Sequence, residues 1–159
     1  GGNSNNSVMT GDSALYIADA TNVYAYYDYG NANVYAYRSF LFEPGDYQIS
    51  FDWKCNGEAN RDFGRLFLAP FDIYINAGSK IGADTLDLER YIRLHENDKL
   101  SGSPVWKSES AIVSVDELTN YYLLAQWSND VSGAMNPPLA IDNIRIVKIE
   151  CGVIEDLLF

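Results

Sequence analysis

The stretch Asp46-Tyr47-Gln48-Ile49-Ser50-Phe51-Asp52-Trp53-Lys54 decides the fold class. Tyr47, Ile49, Phe51 and Trp53 fall on one side of a two-residue period, and Gln48, Ser50, Asp52 and Lys54 on the other. That is the pattern of a strand with one face in a core. Just before it stands Glu43-Pro44-Gly45-Asp46. Proline at the second position of a turn presets φ, and glycine at the third accepts a positive φ, so this tetrapeptide reads as a type II turn. The expectation is a hairpin in which Val34–Phe42 turns into Asp46–Lys54. Upstream, Gly30-Asn31-Ala32-Asn33 reads as a second hairpin turn, joining Val23–Tyr29 to Val34–Phe42. Ala14–Asp19 makes a short earlier strand.

Working downstream, Arg65–Ala69 and Phe71–Asn76 are strand-like and separated by Pro70, which belongs at an edge or a bulge. Ala111–Val115, Tyr121–Ser128 and Leu139–Ile149 complete the set. In Asp84–His95, Leu88, Tyr91, Ile92 and His95 have helical spacing, but the segment is short and lies between Gly-containing loops. A strand around Tyr91–Leu94 is the favoured reading. Nine or ten short strands with turn signals between them predict an all-β chain, a two-sheet antiparallel β-sandwich. Residues 1–13, rich in Gly, Asn and Ser, read as a flexible leader or linker. Residues 14–150 read as the sandwich, and residues 151–159 as a tail or the start of a linker to a further domain.

The chain has 159 residues, with 22 Asp+Glu against 11 Lys+Arg, a formal net charge of −11. That length fits one domain. The acidic balance argues against a nucleic-acid partner, which needs clustered Lys and Arg. No apolar run is long enough for a membrane span. One His and two Cys are too few for a zinc site built from those residues. The 12 Tyr favour strands and also suit sugar binding, where a ring face stacks on a pyranose.

Catalytic signals are weak. His95 is the only base for a triad, it reads as a surface-loop residue in His95-Glu96-Asn97-Asp98, and there is no Gly-x-Ser-x-Gly elbow. In Thr85-Leu86-Asp87-Leu88-Glu89, Thr85 stands where laminarinase-type sandwich glycosidases carry the nucleophilic acid of Glu-x-Asp-x-Glu. For a hard cation, the best oxygen clusters are Asn129-Asp130 and Asp142-Asn143, so a structural Ca²⁺ would be held by Asp130 and Asp142. Alternatively, Asp142 accepts backbone N–H bonds and fixes the loop that starts at Asn129. Cys55 and Cys151 could be bridged or could be two free thiols. Trp53 and Trp127 are expected inward and buried.

The residues Tyr47-Gln48-Ile49-Ser50-Phe51-Asp52-Trp53-Lys54-Cys55-Asn56-Gly57-Glu58, followed by Leu68-Ala69-Pro70, resemble a recurring block in secreted and surface proteins of gut Bacteroidetes. A later block, Trp127-Ser128-Asn129-Asp130-Val131-Ser132-Gly133 and then Pro137-Pro138-Leu139-Ala140-Ile141-Asp142-Asn143-Ile144, closes like a MAM domain. Together they resemble the MAM-like, cleaved-adhesin-like jelly-roll modules of that phylum over residues 14–148. The chain departs from the pattern at its start, where an opening strand is missing. The resemblance implies a jelly roll of the MAM-like or concanavalin-like kind, exported to the cell surface or beyond and carried beside other domains of a parent chain. It implies a non-catalytic role in adhesion, glycan binding or spacing, and no cofactor beyond the calcium already considered.

The functional expectation is therefore a non-catalytic extracellular module that binds a glycan or a surface protein; the alternative is a structural spacer. If there is a ligand, it lies over the tyrosine-rich hairpin. The candidate residues are Tyr24, Tyr26, Tyr27, Tyr29, Tyr35 and Tyr37, with Arg38 at the margin. Alternation sends about half of these rings to the outer side of the sheet.

Overall fold

The structure, a computed structural model, describes residues 14–17, 31–58, 61–75 and 90–150. Among these residues there are eight strands: β1 (Leu15–Tyr16), β2 (Ala32–Phe42), β3 (Gly45–Cys55), β4 (Phe63–Pro70), β5 (Ile92–Arg93), β6 (Ser103–Val115), β7 (Thr119–Asn129) and β8 (Ala140–Ile149). They form two four-stranded antiparallel sheets, in the orders β1-β8-β3-β6 and β2-β7-β4-β5. The pairs β4·β5, β3·β6, β2·β7 and β1·β8 are nested one outside the next. The chain is thus one long hairpin rolled up so that successive strands alternate between sheets, except at the innermost pair β4·β5, which share one. The lateral pairs β3·β8 and β4·β7 close each sheet. This is jelly-roll connectivity, and the expected β-sandwich is what forms.

The inward face predicted for Asp46–Lys54 is the core. Tyr47, Ile49, Phe51 and Trp53 are all buried, and they meet Leu66, Leu68, Leu123, Trp127, Leu139 and Ile141 from both sheets. Trp53 is 3% exposed and Trp127 1%. Two residues on the opposite face, Asp52 and Lys54, are also buried. Ser108 Oγ donates to Asp52 Oδ1 and Asn143 Nδ2 to Oδ2, and Lys54 lies over the Trp106 ring.

The pairing of β2 with β3 differs from expectation. Glu43-Pro44-Gly45-Asp46 does turn, and Gly45 takes a φ of 138°. The Tyr47 hydroxyl bonds both backbone groups of Glu43. The two strands, however, enter different sheets, so the turn is an arch across the sandwich and not a hairpin. Phe42, buried edge-on against Tyr47 at 4.8 Å, holds the arch from inside. A period of two fixes which face points inward but does not say which strand lies alongside. β2 pairs instead with β7 along its whole length. The other half of the expected upstream hairpin, Val23–Tyr29, lies outside the described residues.

Local chemistry also shapes three shorter stretches. Phe71–Ile75 is not a strand: Pro70 ends the ladder, and Ile73 N–H bonds back to the Pro70 carbonyl as a turn. Within Ala14–Asp19, the described residues form a strand at Leu15–Tyr16, prolonged by a bond from Ile17 N–H to the Leu139 carbonyl, and Ala18 and Asp19 lie outside the described residues. The segment around Tyr91–Leu94 is extended, as favoured, with its strand at Ile92–Arg93. Asp84–Glu89, the leader 1–13 and the tail 151–159 lie outside the described residues. Among those described, no helix is long and apolar enough to cross a membrane.

Candidate functional site: an aromatic face on the outer side of the second sheet

The outer face of the β2-β7-β4-β5 sheet is built from the residues that alternate away from the core. Across its rows stand Tyr35, Gln126 and Arg65; then Tyr37, Leu124 and Phe67; then Ser39, Tyr122 and Ala69. Such a face is ordinarily polar. Here Phe67, Ala69 and Leu124 are buried on it, under Tyr35, Ile73, Ile75, Tyr91 and Tyr122. A second apolar cluster therefore lies outside the sandwich.

Three rings of this face touch. Tyr37 meets Tyr122 edge to face, with centroids 5.1 Å apart, and Phe71 stacks on Tyr122 at 4.8 Å with planes 26° apart. Phe71 reaches that position because Pro70 ends β4 and turns the chain over the sheet. Tyr37 is 57% exposed and Phe71 50%, so the rings form a stepped aromatic surface open to solvent. Beside Phe71 is a cleft of about 400 Å³ lined by Pro70, Asp72, Leu118, Thr119, Asn120 and Tyr121. Asp72 is ion-paired with Arg90 at its rim. Rings beside carboxylate, hydroxyl and amide groups can offer one face for stacking and an edge for hydrogen bonds.

The expected ligand residues separate. Tyr37 belongs to the surface just described. Tyr35 is half-buried, and its hydroxyl takes a bond from Gln126 Nε2 at 3.3 Å. Arg38 does not border the tyrosines, because alternation turns it to the other side of β2, where its guanidinium lies 5.4 Å from the Phe40 ring centre. Tyr24, Tyr26, Tyr27 and Tyr29 lie outside the described residues. Sequence reasoning missed Tyr122 and Phe71. The adjacent pair Tyr121-Tyr122 on a strand was the available signal, since one of the two must face outward.

Asp130 and Asp142, the proposed cation ligands, sit in separate hydrogen-bond networks. Asp130 Oδ1 accepts bonds from Ser132 N–H and Oγ, and Oδ2 pairs with Arg61 at 3.2 Å. The Ser132 N–H and then the hydroxyl and guanidinium hold its carboxyl below the usual range. Arg61 thus supplies the positive charge beside Asp130. Asp142 Oδ1 accepts the Asn143 N–H at 2.7 Å, and Asn143 Nδ2 bonds Asp52. Asn143 has a φ of 52°, next to the irregularity where β8 slips relative to β3. An acid that accepts the Asp130 N–H at the start of this loop is Asp62, wholly buried, which the sequence reading did not single out. Among the described residues, no three His, Cys, Asp or Glu are grouped to hold a metal ion.

The two quoted sequence blocks come together at this loop. Asn56 N–H bonds the Pro137 carbonyl, and its side-chain amide bonds the Asn136 carbonyl. Trp127 Nε1 bonds Asn129 Oδ1. Gly133 has a φ of 70°, and a Cβ there would stand 2.2 Å from Glu58 Oε2. Within those blocks, Asn56 and Asn129 fasten loops to the sandwich, while Tyr47, Ile49, Phe51, Trp53 and Ile141 fill its core.

His95 is not a surface residue: it is 5% exposed, against Phe67. Its Nδ1 lies 2.5 Å from the Asn97 carbonyl, which can only accept, so Nδ1 carries the proton, and among the described residues the buried Nε2 has no partner. Burial pushes its pKa down to about 4. Cys55 is a free thiol pushed up to about 12 by burial. As a thiol it therefore stays protonated. Cys151 lies outside the described residues.

Compared with known proteins, the chain matches no family model and no curated protein.

Proposed function

We propose that this chain is a non-catalytic binding module of an exported or cell-surface protein, and that it contacts a saccharide through the face bearing Tyr37, Tyr122 and Phe71. The observation that carries this reading is the continuous set of three touching rings, half open to solvent and held by a sheet, beside a cleft with Asp72, Thr119 and Asn120. A pyranose has C–H faces that stack on rings and a rim of hydroxyls that suits such a cleft. A shallow surface of this kind gives weak single-site affinity and gains from repetition along a polymer or a cell surface. The resemblance to MAM-like surface modules supports export and neighbouring domains.

A second reading, a spacer without a small ligand, is favoured by one observation: the described residues of the resembling blocks build the core, as Tyr47, Ile49, Phe51 and Trp53 do, or fasten loops, as Asn56 and Asn129 do. NMR titration with a panel of neutral oligosaccharides separates the two. The binding reading expects shifts confined to Tyr37, Phe71, Asp72, Asn120 and Tyr122, lost in Phe71→Ala while the rest of the spectrum is kept. No shifts with any of the panel, or shifts that survive both Phe71→Ala and Tyr37→Ala, would leave the spacer.

A further inference from the structure

β1 is two residues long and covers β8 only at Ala140 and Ile141. Beyond that point, among the described residues, β8 is paired on one side only, with β3. A seam consequently opens between the edge of β8 and β2, the outermost described strand of the other sheet. It is a groove of about 710 Å³ that reaches from the surface into the core. Ile144 and Ile146 line it from β8, Phe40 from β2, Leu15 from β1, and Leu66 and Leu123 form its floor. That size and apolar lining are those of small-molecule sites, which run to roughly 300–1,000 Å³ with a few polar groups that orient the ligand.

The charge at its mouth identifies the ligand class. Among the described residues, Arg38 is the one charged residue lining the groove. Among the described residues, Arg61, Arg65, Arg90 and Arg93 each have a carboxylate partner, whereas Arg38, like Arg145 on the other side of β8, has none and makes its contact with the Phe40 ring. In a chain of net charge −11, an arginine without an acid at the mouth of an apolar groove is locally complementary to an anion. We propose that the groove binds an amphipathic monoanion. The apolar body would lie between Phe40, Leu66, Leu123, Ile144 and Ile146, and a carboxylate head would sit on Arg38. This ligand class is separate from the saccharide proposed for the aromatic face, although Tyr37 stands at the boundary of both.

The test is titration of the full chain with dodecanoate and with dodecanol, each below its aggregation threshold, followed through the methyl signals of Leu66, Leu123, Ile144 and Ile146. Both probes are expected to shift these methyls, and dodecanoate to bind about fivefold or more tighter than the alcohol. Arg38→Gln is expected to abolish that preference and to leave dodecanol binding unchanged. Ala36→Leu, which narrows the groove from its half-buried wall, is expected to weaken both probes. Phe71→Ala should leave both intact, so failure of the saccharide reading stays distinguishable from failure of this one. The proposal is overturned if neither probe moves the methyls, or if the carboxylate preference persists in Arg38→Gln. It is also overturned if sedimentation finds a dimer that buries these methyls, since the groove would then be a seam between two copies.

Discussion

At the residue scale, His95 gives a pH dependence whose sign follows from its burial. Its folded pKa is about 4 against an ordinary 6.5, so as pH falls the unfolded chain takes up the proton first. The contribution of this residue is fully present above about pH 6.5. It is lost progressively between there and about pH 4, below which both states are protonated. Urea midpoints measured at about pH 7 and about pH 4.5 should therefore fall less in His95→Gln than in the parent chain. Equal falls in the two proteins would mean that the imidazole is not held neutral. The sequence could not reveal this residue's burial. His95-Glu96-Asn97-Asp98 is polar as written, and what covers the ring is Phe67 from β4, a residue on a neighbouring strand.

At the scale of elements, the loops at one end of the sandwich are fastened by backbone geometry that two glycines separate cleanly. Gly133 and Gly102 have nearly the same φ, 70° and 68°. A Cβ at Gly133 would collide with Glu58 Oε2, whereas one at Gly102 meets nothing within 4 Å. Gly102→Ala should therefore cost only the left-handed strain, about 1 kcal/mol. Gly133→Ala should cost that plus displacement of the Glu58 carboxylate, about 2–3 kcal/mol. Chemical denaturation of the two variants checks the difference, and equal losses would show that Glu58 yields freely. Loop attachment by Asp62 is a further case of tertiary choice. In the sequence, Asp62 is one acid among 22, and only the approach of the β7 end to the start of β4 gives it the Asp130 N–H as partner.

At the scale of the molecule, charge limits what the aromatic face can bind. With a net charge of −11 and the Asp72 carboxylate at the cleft, long-range repulsion works against sulfated or uronate-rich chains. Retention on an immobilised polyanionic glycan at low salt is expected to be absent, while neutral oligosaccharides shift the face by NMR. Retention on the polyanion would contradict both the charge argument and the assignment of a neutral sugar to this surface.

The sequence by itself determined the class of the fold and the inward sides of its strands. Tyr47, Ile49, Phe51 and Trp53 had to share one face because a strand alternates, and Pro44-Gly45 had to turn because of what φ each residue permits. Tertiary structure alone decided the partners. The same alternation serves a hairpin and an arch equally well, so nothing local in Val34–Phe42 distinguishes β3 from β7 as its neighbour. The candidate site inherits that limit. Tyr37 could be read as an outward tyrosine, but Tyr122 comes beside it from β7, and Phe71 only because Pro70 ends β4 over the same face. An aromatic surface made by three separate segments exists only once the long hairpin has rolled up.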